Sequence, residues 1–346
     1  MHLKSACYRI ACLQFILQMS STQDILFDQL SNCCADGPIS YCEFIDKVLY
    51  TKKYGYYTSE RKRVGRGVQG DFYTAESLGS VFAELVVSSV QAIIGESLAR
   101  ESCFIEIAAE PGTDLLSHID SHPFAKAKVI RHGQKLQAQG PVIIFANEWL
   151  DALPFHRLIY SKGNWRERAV NIQNNRLVEV LLDELTPAVA AQIDRLPERA
   201  ADGYEIDLPL QTESALKQLL SQDWSGLILF FDYGKTWQEL AQNCPNGTAR
   251  SYYKHRKGSN LLNRIGEQDI TCDVNWSPLE EQLINNKFKN VTLQSQESFF
   301  VHYGHKVAEI IVNESPWSLS KRRQTLMELI HPSHMGQHFQ ALWGIR

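Results

Sequence analysis

The chain has 346 residues, 44% hydrophobic and 21% charged, with 35 Lys and Arg against 39 Asp and Glu for a net charge of −4. That length accommodates one large core, or a core with a smaller satellite, in the composition range of soluble globular proteins. The charge balance excludes a global attraction to nucleic acid or anionic membrane, and no C-x-x-C pair or Cys/His spacing suggests a metal site.

The opening residues, MHLKSACYRIACLQFILQMS, hold one apolar patch, Leu13–Leu17, broken by Gln14 and short for a signal-peptide core. No run of 18 apolar residues is present to span a membrane. Residues 1–37 read as an N-terminal extension, and the scattered cysteines fit reduced thiols, so a cytoplasmic location is expected. From Pro38 onward, residues 38–346 read as a single domain. In ISYCEFIDKVLY, Phe44, Ile45, Val48 and Leu49 share one helical face. A polar basic loop follows, then an apolar helix over 78–94 with Gly95 as its C-cap. FIEIAAEPGTDLL (104–116) reads as a strand over 103–108, a turn and a helix over 113–119. KVIRHG (128–133) suggests a short strand, and PVIIFANEWLDALPF (141–155) a buried strand entering a polar turn.

Residues 155–182 alternate apolar and polar around KGN and QNN, predicting a three-stranded antiparallel meander. Helical patterns cover 187–195 and 210–221, so 155–225 reads as an insertion. GLILFFDYG (226–234) is continuously apolar, as expected of a central parallel strand covered on both faces. Residues 233–260 show no clear periodicity and read as a long loop. A helix over 277–288 and strands near 290–294 and 306–312 are expected to close the sheet, with a helix and packed segment within 316–346. Strands alternating with helices make this an α/β fold with a largely parallel sheet, to which the N-terminal helical part and the meander are additions.

Three apolar runs end in polar residues: Glu106; Asn147, Glu148 and Asp151; and Asp232 with Tyr233. Ligands bind beyond the carboxyl ends of such strands, so these points are expected to converge on one cleft, although strand-end acids also cap the turns that follow. GRGVQGDFYT (65–74) offers glycines for close backbone approach, a guanidinium at Arg66 and a carboxylate at Asp71. GTARSYYKHR (247–256) interleaves basic and aromatic residues. That pattern suits a nucleic-acid strand, a substrate cleft or a solvated face, and without a second basic patch nucleic acid is the lesser reading.

Taken together, FIDKVLYTKKYGYYT, GDFYTAESLGSVFAEL, ANEWLDALPFHRL, LFFDYG, GTARSYYKHR, GEQDITCDVNW and HPSHMGQHFQAL resemble, in order, the MidA-like class I methyltransferases. That family includes a mitochondrial arginine methyltransferase assisting respiratory complex I assembly. The resemblance implies a Rossmann-like class I methyltransferase sheet of seven strands, S-adenosylmethionine as cofactor and a protein side chain, arginine among the possibilities, as acceptor. By the same resemblance, Glu106, Gly112, Gly70, Asp71, Phe72, Thr74 and Asp232 fall at cofactor-binding positions. Asn147 and Glu148 fall where the methyl is transferred; Glu148 would orient the acceptor nitrogen with help from Asn147 or Asp151, and His255 is a candidate base.

The sequence departs from the family at two places. The loop usually reads Glu-x-Gly-x-Gly-x-Gly, and here it has Ala108 and Glu110 at glycine positions. Only residues 117–140 separate this loop from ANEWL, whereas a strand–helix–strand unit needs about 30 residues. One strand is therefore expected to be missing, with no acid but the poorly placed Asp120 left for the cofactor ribose. Two functions stay open: methyl transfer to a protein side chain, or a methyltransferase-fold protein that has lost turnover and acts as a binding or assembly factor. Either has a protein partner and no membrane span.

Overall fold

The computed structural model describes residues 21–59, 79–109, 111–314 and 320–346. Its centre is a sheet of six strands: β1 (Cys103–Ile107), β2 (Lys126–Ile130), β3 (Gly140–Asn147), β4 (Trp224–Asp232), β5 (Lys289–Ser295) and β6 (Gln340–Ile345). Their spatial order is β5-β6-β4-β3-β1-β2. β2, β1, β3 and β4 run parallel, and β6 is antiparallel to both its neighbours. This is the Rossmann-like sheet expected, with one strand fewer among the described residues than the resemblance implied. Among the described residues, the segment between β1 and β3 holds β2 as its one strand, as its length required.

The unbroken apolar runs of β3 and β4 are explained by burial on both faces. Ile143, Phe145, Leu227, Leu229 and Phe231 join one core cluster with Phe82, Phe104, Phe299 and Phe300. Their alternate neighbours Val142, Ile144, Ala146, Ile228 and Phe230 join the opposite cluster with Trp276, Leu279 and Leu283. Side chains alternate faces along a strand, so a strand covered twice has no polar positions to show. Phe231 touches Phe82, Phe299 and Phe300 ring to ring, and its truncation to Ala would cost about 3–5 kcal/mol.

A second sheet is built on the meander: His156–Ser161, Asn164–Gln173 and Arg176–Leu181, joined by Ile39–Ser40 and Glu205–Leu208. Its two-residue turns, Lys162–Gly163 and Asn174–Asn175, both take positive φ, the geometry that suits the twist of a hairpin. Arg157 bridges Glu205 and Asp207 at 2.8 and 2.9 Å. Asp207 also accepts the backbone N–H of Ala249 at 2.7 Å, tying residues 248–249 to the meander.

The helix Thr22–Cys33 opens with a capping box between Ser21 and Asp24. It packs the fully buried Leu26 and Leu30 into a cluster with Phe44, Ile45, Val48 and Leu49 of helix Tyr41–Tyr50. Four expectations need correction. Residues 306–312 lie in a helix, His305–Glu314, because Val307 and Ile311 face the core one turn apart while Ile310 and Val312 are exposed. The strand that closes the sheet is instead Gln340–Ile345, inside the expected terminal segment. The helix over 113–119 is a single 3₁₀ turn, Leu115–His118. The long loop 233–260 contains helix Trp237–Asn243 and a hairpin, Arg250–Tyr253 with Arg256–Gly258.

Candidate active site

The carboxyl ends of β1, β2 and β3 open into a cavity of about 1340 Å³. Small-molecule sites usually span roughly 300–1,000 Å³, so this one has room for a cofactor and part of an acceptor. Beyond β1 the chain turns through Ala108 at φ 64. The Ala108 N–H donates to Ile130 O at 2.8 Å, which extends the β1–β2 pairing by one rung. Ala108, Ala109 and Pro111 line the cavity. Glu106 does not: it is 4% exposed, and its Oε2 accepts the N–H of Leu115 at 2.8 Å. Its place is beneath the loop, holding the 3₁₀ turn. Gly112, at φ 83, also lies off the lining.

Beyond β2 come Arg131, His132 and Gly133, all on the cavity. Arg131 donates from Nη2 to Thr113 O at 3.0 Å, strapping the β2 end to the loop after β1. Dinucleotide-binding sheets carry an acid near this point for the ribose. Here the position is basic, and Asp120 is exposed and off the lining.

Beyond β3, Asn147 and Glu148 line the cavity side by side, with Asn147 Nδ2 donating to Glu148 Oε1 at 3.0 Å. Asn147 Oδ1 is buried without a hydrogen-bond partner among the described residues. Glu148 takes φ 50 and donates its N–H to Phe231 O at 2.9 Å, so the β3–β4 ladder fixes this left-handed residue. The next turn carries Asp151, also on the lining although only 3% exposed. Burial pushes its carboxyl up to about 6, against the Tyr233 hydroxyl and the Arg250 guanidinium, which favour the ionised form.

Asp232, at the end of β4, is fully buried and off the lining. Its carboxylate accepts the N–H groups of Leu150 (2.9 Å), Asp151 (3.2 Å) and Tyr233 (2.9 Å). Burial, then the Asp151 and Glu148 charges, raise its pKa well above the usual range. Gly234 follows because a Cβ there would meet Val274 O at 2.4 Å and Trp276 Nε1 at 2.5 Å.

The three strand ends thus share one edge of the sheet: Asn147, Glu148 and Asp151 reach the cavity from the second and Tyr233 from the third, while Glu106 and Asp232 lie off its lining. His255 is not with them. Lys254 and His255 form the two-residue turn of the Arg250–Gly258 hairpin, at φ 48 and 61, and His255 is exposed and off the lining. Gly70, Asp71, Phe72, Thr74 and Glu110 lie outside the described residues. Of the remaining wall, Tyr252 comes from GTARSYYKHR, for which a substrate cleft was one reading; Tyr50, Tyr57 and Asp269, and His334 and His338 with Phe339, were missed from sequence. Their signals were present in YGYY, GEQDIT and HPSHMGQHF. Among the described residues, no group of three or more His, Cys, Asp and Glu is placed to hold a metal ion, and no helix is long and apolar enough to cross a membrane.

A family model described as "Putative S-adenosyl-L-methionine-dependent methyltransferase" matches residues 99–293. A zebrafish (Danio rerio) relative named protein arginine methyltransferase NDUFAF7, mitochondrial, is 21% identical, the match covering 93% of this chain and 86% of the relative. The mouse (Mus musculus) protein of that name is 24% identical, with 88% and 81% covered. A crystal structure from Burkholderia thailandensis bound to S-adenosyl-homocysteine superposes with a TM-score of 0.81 at 20% identity, over 94% of this chain and 92% of that one.

Proposed function

This chain belongs to the family of S-adenosyl-L-methionine-dependent methyltransferases, and from that premise we propose that it transfers the methyl group to a protein side chain, with arginine as the acceptor. The cofactor is S-adenosylmethionine, which supplies an electrophilic methyl on a sulfonium. The cavity suits it: Asn147 Oδ1 offers a buried acceptor with no partner among the described residues, and Glu148 and Asp151 favour a ligand bearing positive charge. Ala108, Ala109 and Pro111 would lie along it after β1, where small residues let a ligand approach the backbone. Two positions depart: Ala108 stands where a glycine is usual, and Arg131 and His132 follow β2 at the ribose position.

The observation that carries the proposal is the Asn147–Glu148 pair at the β3 end, bordering a cavity larger than a cofactor needs. Glu148 would orient a cationic nitrogen and offset its charge, and positioning of this kind lowers the barrier of an in-line displacement. The relatives' shared name supports arginine as acceptor. Those relatives are named mitochondrial, and nothing in them supports the cytoplasmic location expected from sequence. The test is incubation of the full chain with methyl-labelled cofactor and arginine-rich peptides, followed by hydrolysis. Labelled methylarginine is expected; label absent from every peptide, with the cofactor demonstrably bound, would overturn the reading.

Arg131 at the ribose position and left-handed Ala108 at a glycine position favour a second reading, a family member without turnover that binds a protein partner. Where that member has lost the cofactor as well, S-adenosylhomocysteine binding separates the two; where it keeps it, the labelled-methyl assay does.

A further inference from the structure

We propose that Cys42 is a redox modification site, a nucleophilic thiol served by His156 and Glu167 that a small hydroperoxide converts to the sulfenic acid. All three residues lie off the cavity lining, and three elements bring them together. Cys42 is the second residue of helix Tyr41–Tyr50, whose first turn is capped by the Ser40 hydroxyl accepting the Glu43 N–H at 3.1 Å. His156 opens the strand His156–Ser161, and Glu167 lies on its antiparallel neighbour, opposite Leu158. His156 and Leu158 are two residues apart and share a face, so the imidazole meets the carboxylate diagonally across the pair. Its Nδ1 donates to Glu167 Oε1 at 2.7 Å, and Glu167 Oε2 accepts the Thr186 N–H at 2.7 Å. The same imidazole hydrogen-bonds Cys42. Gln211, an exposed side chain, donates from Nε2 to Cys42 Sγ at 3.6 Å.

A thiol beside an imidazole that a carboxylate orients is the arrangement that activates a nucleophile. Burial lowers the pKa of the His156 ring, but the hydrogen bonds to Cys42 and Glu167 outweigh it and push the value up to about 9. The ring therefore has the basicity to take the thiol proton, and the helix N-terminus adds positive potential at the sulfur. A sulfur electron pair then attacks one peroxide oxygen, and the S–O bond forms as the O–O bond breaks. Sulfur is oxidised, the peroxide is reduced, and the leaving hydroxide collects the proton from His156 to depart as water. Cys42 is 8% exposed beneath the Gln211 side chain, so hydrogen peroxide can reach it where a bulky disulfide cannot. A cysteine that only fills space needs no donors on its sulfur, and a buried His–Glu pair is a costly way to pack two strands. By contrast, burial pushes the thiols of Cys103 and Cys244 up.

The test treats the reduced full chain with dilute hydrogen peroxide in the presence of dimedone, which tags sulfenic acids, and maps the tagged cysteines by mass spectrometry. Cys42 is expected to be tagged at least about tenfold faster than Cys103 and Cys244, although both are more exposed. His156→Gln keeps a donor for Glu167 but cannot take the thiol proton. It should slow Cys42 at least about tenfold and leave Cys103 and Cys244 unchanged. Gln211→Glu replaces the donor at the sulfur with a negative charge, at an exposed position that leaves the fold intact. It should slow Cys42 about threefold to fivefold, and it serves where His156→Gln does not fold. Cys42 tagged no faster than Cys103 and Cys244, or at a rate that the folded variants leave unchanged, would overturn the proposal.

Discussion

The buried carboxylate of Asp232 accepts the backbone N–H of Asp151 at 3.2 Å, so one acid at the end of β4 holds the turn that carries another. The two acids and Glu148 repel one another inside a poorly solvated corner. A positive charge placed beside this corner would relieve that repulsion.

The corner has a measurable effect on stability. Burial raises the Asp151 carboxyl from 3.8 to about 6, so between these values the folded chain holds a proton that the unfolded chain has released. Stability must therefore fall as pH rises through that window and stay lower above it. Asp151→Asn should remove the Asp151 share of the slope, leaving that of Asp232. The variant's advantage over the parent is expected to grow by roughly 2–3 kcal/mol from acid to neutral pH, since each pH unit inside the window costs the parent about 1.4 kcal/mol. Denaturant unfolding at the two pH values checks this, and parallel stabilities would show that Asp151 does not titrate this way.

Glu148→Gln keeps the side-chain shape and an acceptor for Asn147 Nδ2 but removes the charge. Turnover on an arginine acceptor is expected to drop well over tenfold, as a charge-assisted contact contributes about 1.5–3 kcal/mol. Affinity for S-adenosylhomocysteine and the unfolding midpoint should change little. Undiminished turnover would remove Glu148 from the mechanism.

Ala108 occupies a left-handed conformation that disfavours any side chain. Ala108→Gly should raise stability by about 0.5–1 kcal/mol, net of the entropy glycine adds to the unfolded chain, and tighten S-adenosylmethionine binding by opening the backbone. Denaturation and calorimetry on the same pair of proteins read both effects. A less stable, weaker-binding variant would mean that the alanine methyl makes contacts the cavity uses.

His255 sits at a hairpin tip, where its positive φ suits glycine. His255→Gly is expected to leave turnover within about twofold of the parent and to stabilise the hairpin slightly. A loss of turnover above tenfold would restore it as a base.

The parallel core was legible because strands buried on both faces leave long apolar runs, as in residues 142–146 and 227–231. The hairpin turns at Lys162–Gly163 and Asn174–Asn175 were legible because so few residues tolerate two left-handed positions in a row. The helix His305–Glu314 was not, since its β-branched Val307, Ile310, Ile311 and Val312 mimic a strand until it is known which of them are exposed. Strand-end acids showed where the site lies but not which acids face it: nothing in sequence separates Glu106, turned under a loop, from Glu148, turned into the cavity. The tyrosine wall depends on Tyr57 meeting Asp269, 212 positions away, a pairing that only the tertiary fold creates.

The central claim is that the cavity beyond β1–β3 holds the family's cofactor despite the basic residues at its ribose position. Calorimetric titration of S-adenosylhomocysteine into the full chain tests it most directly. Saturable one-to-one binding is predicted, weakened severalfold by Asn147→Ala, which deletes the buried acceptor while leaving the strand end intact. A folded chain that gives no saturable binding up to millimolar ligand, or one whose affinity ignores Asn147, would contradict the account.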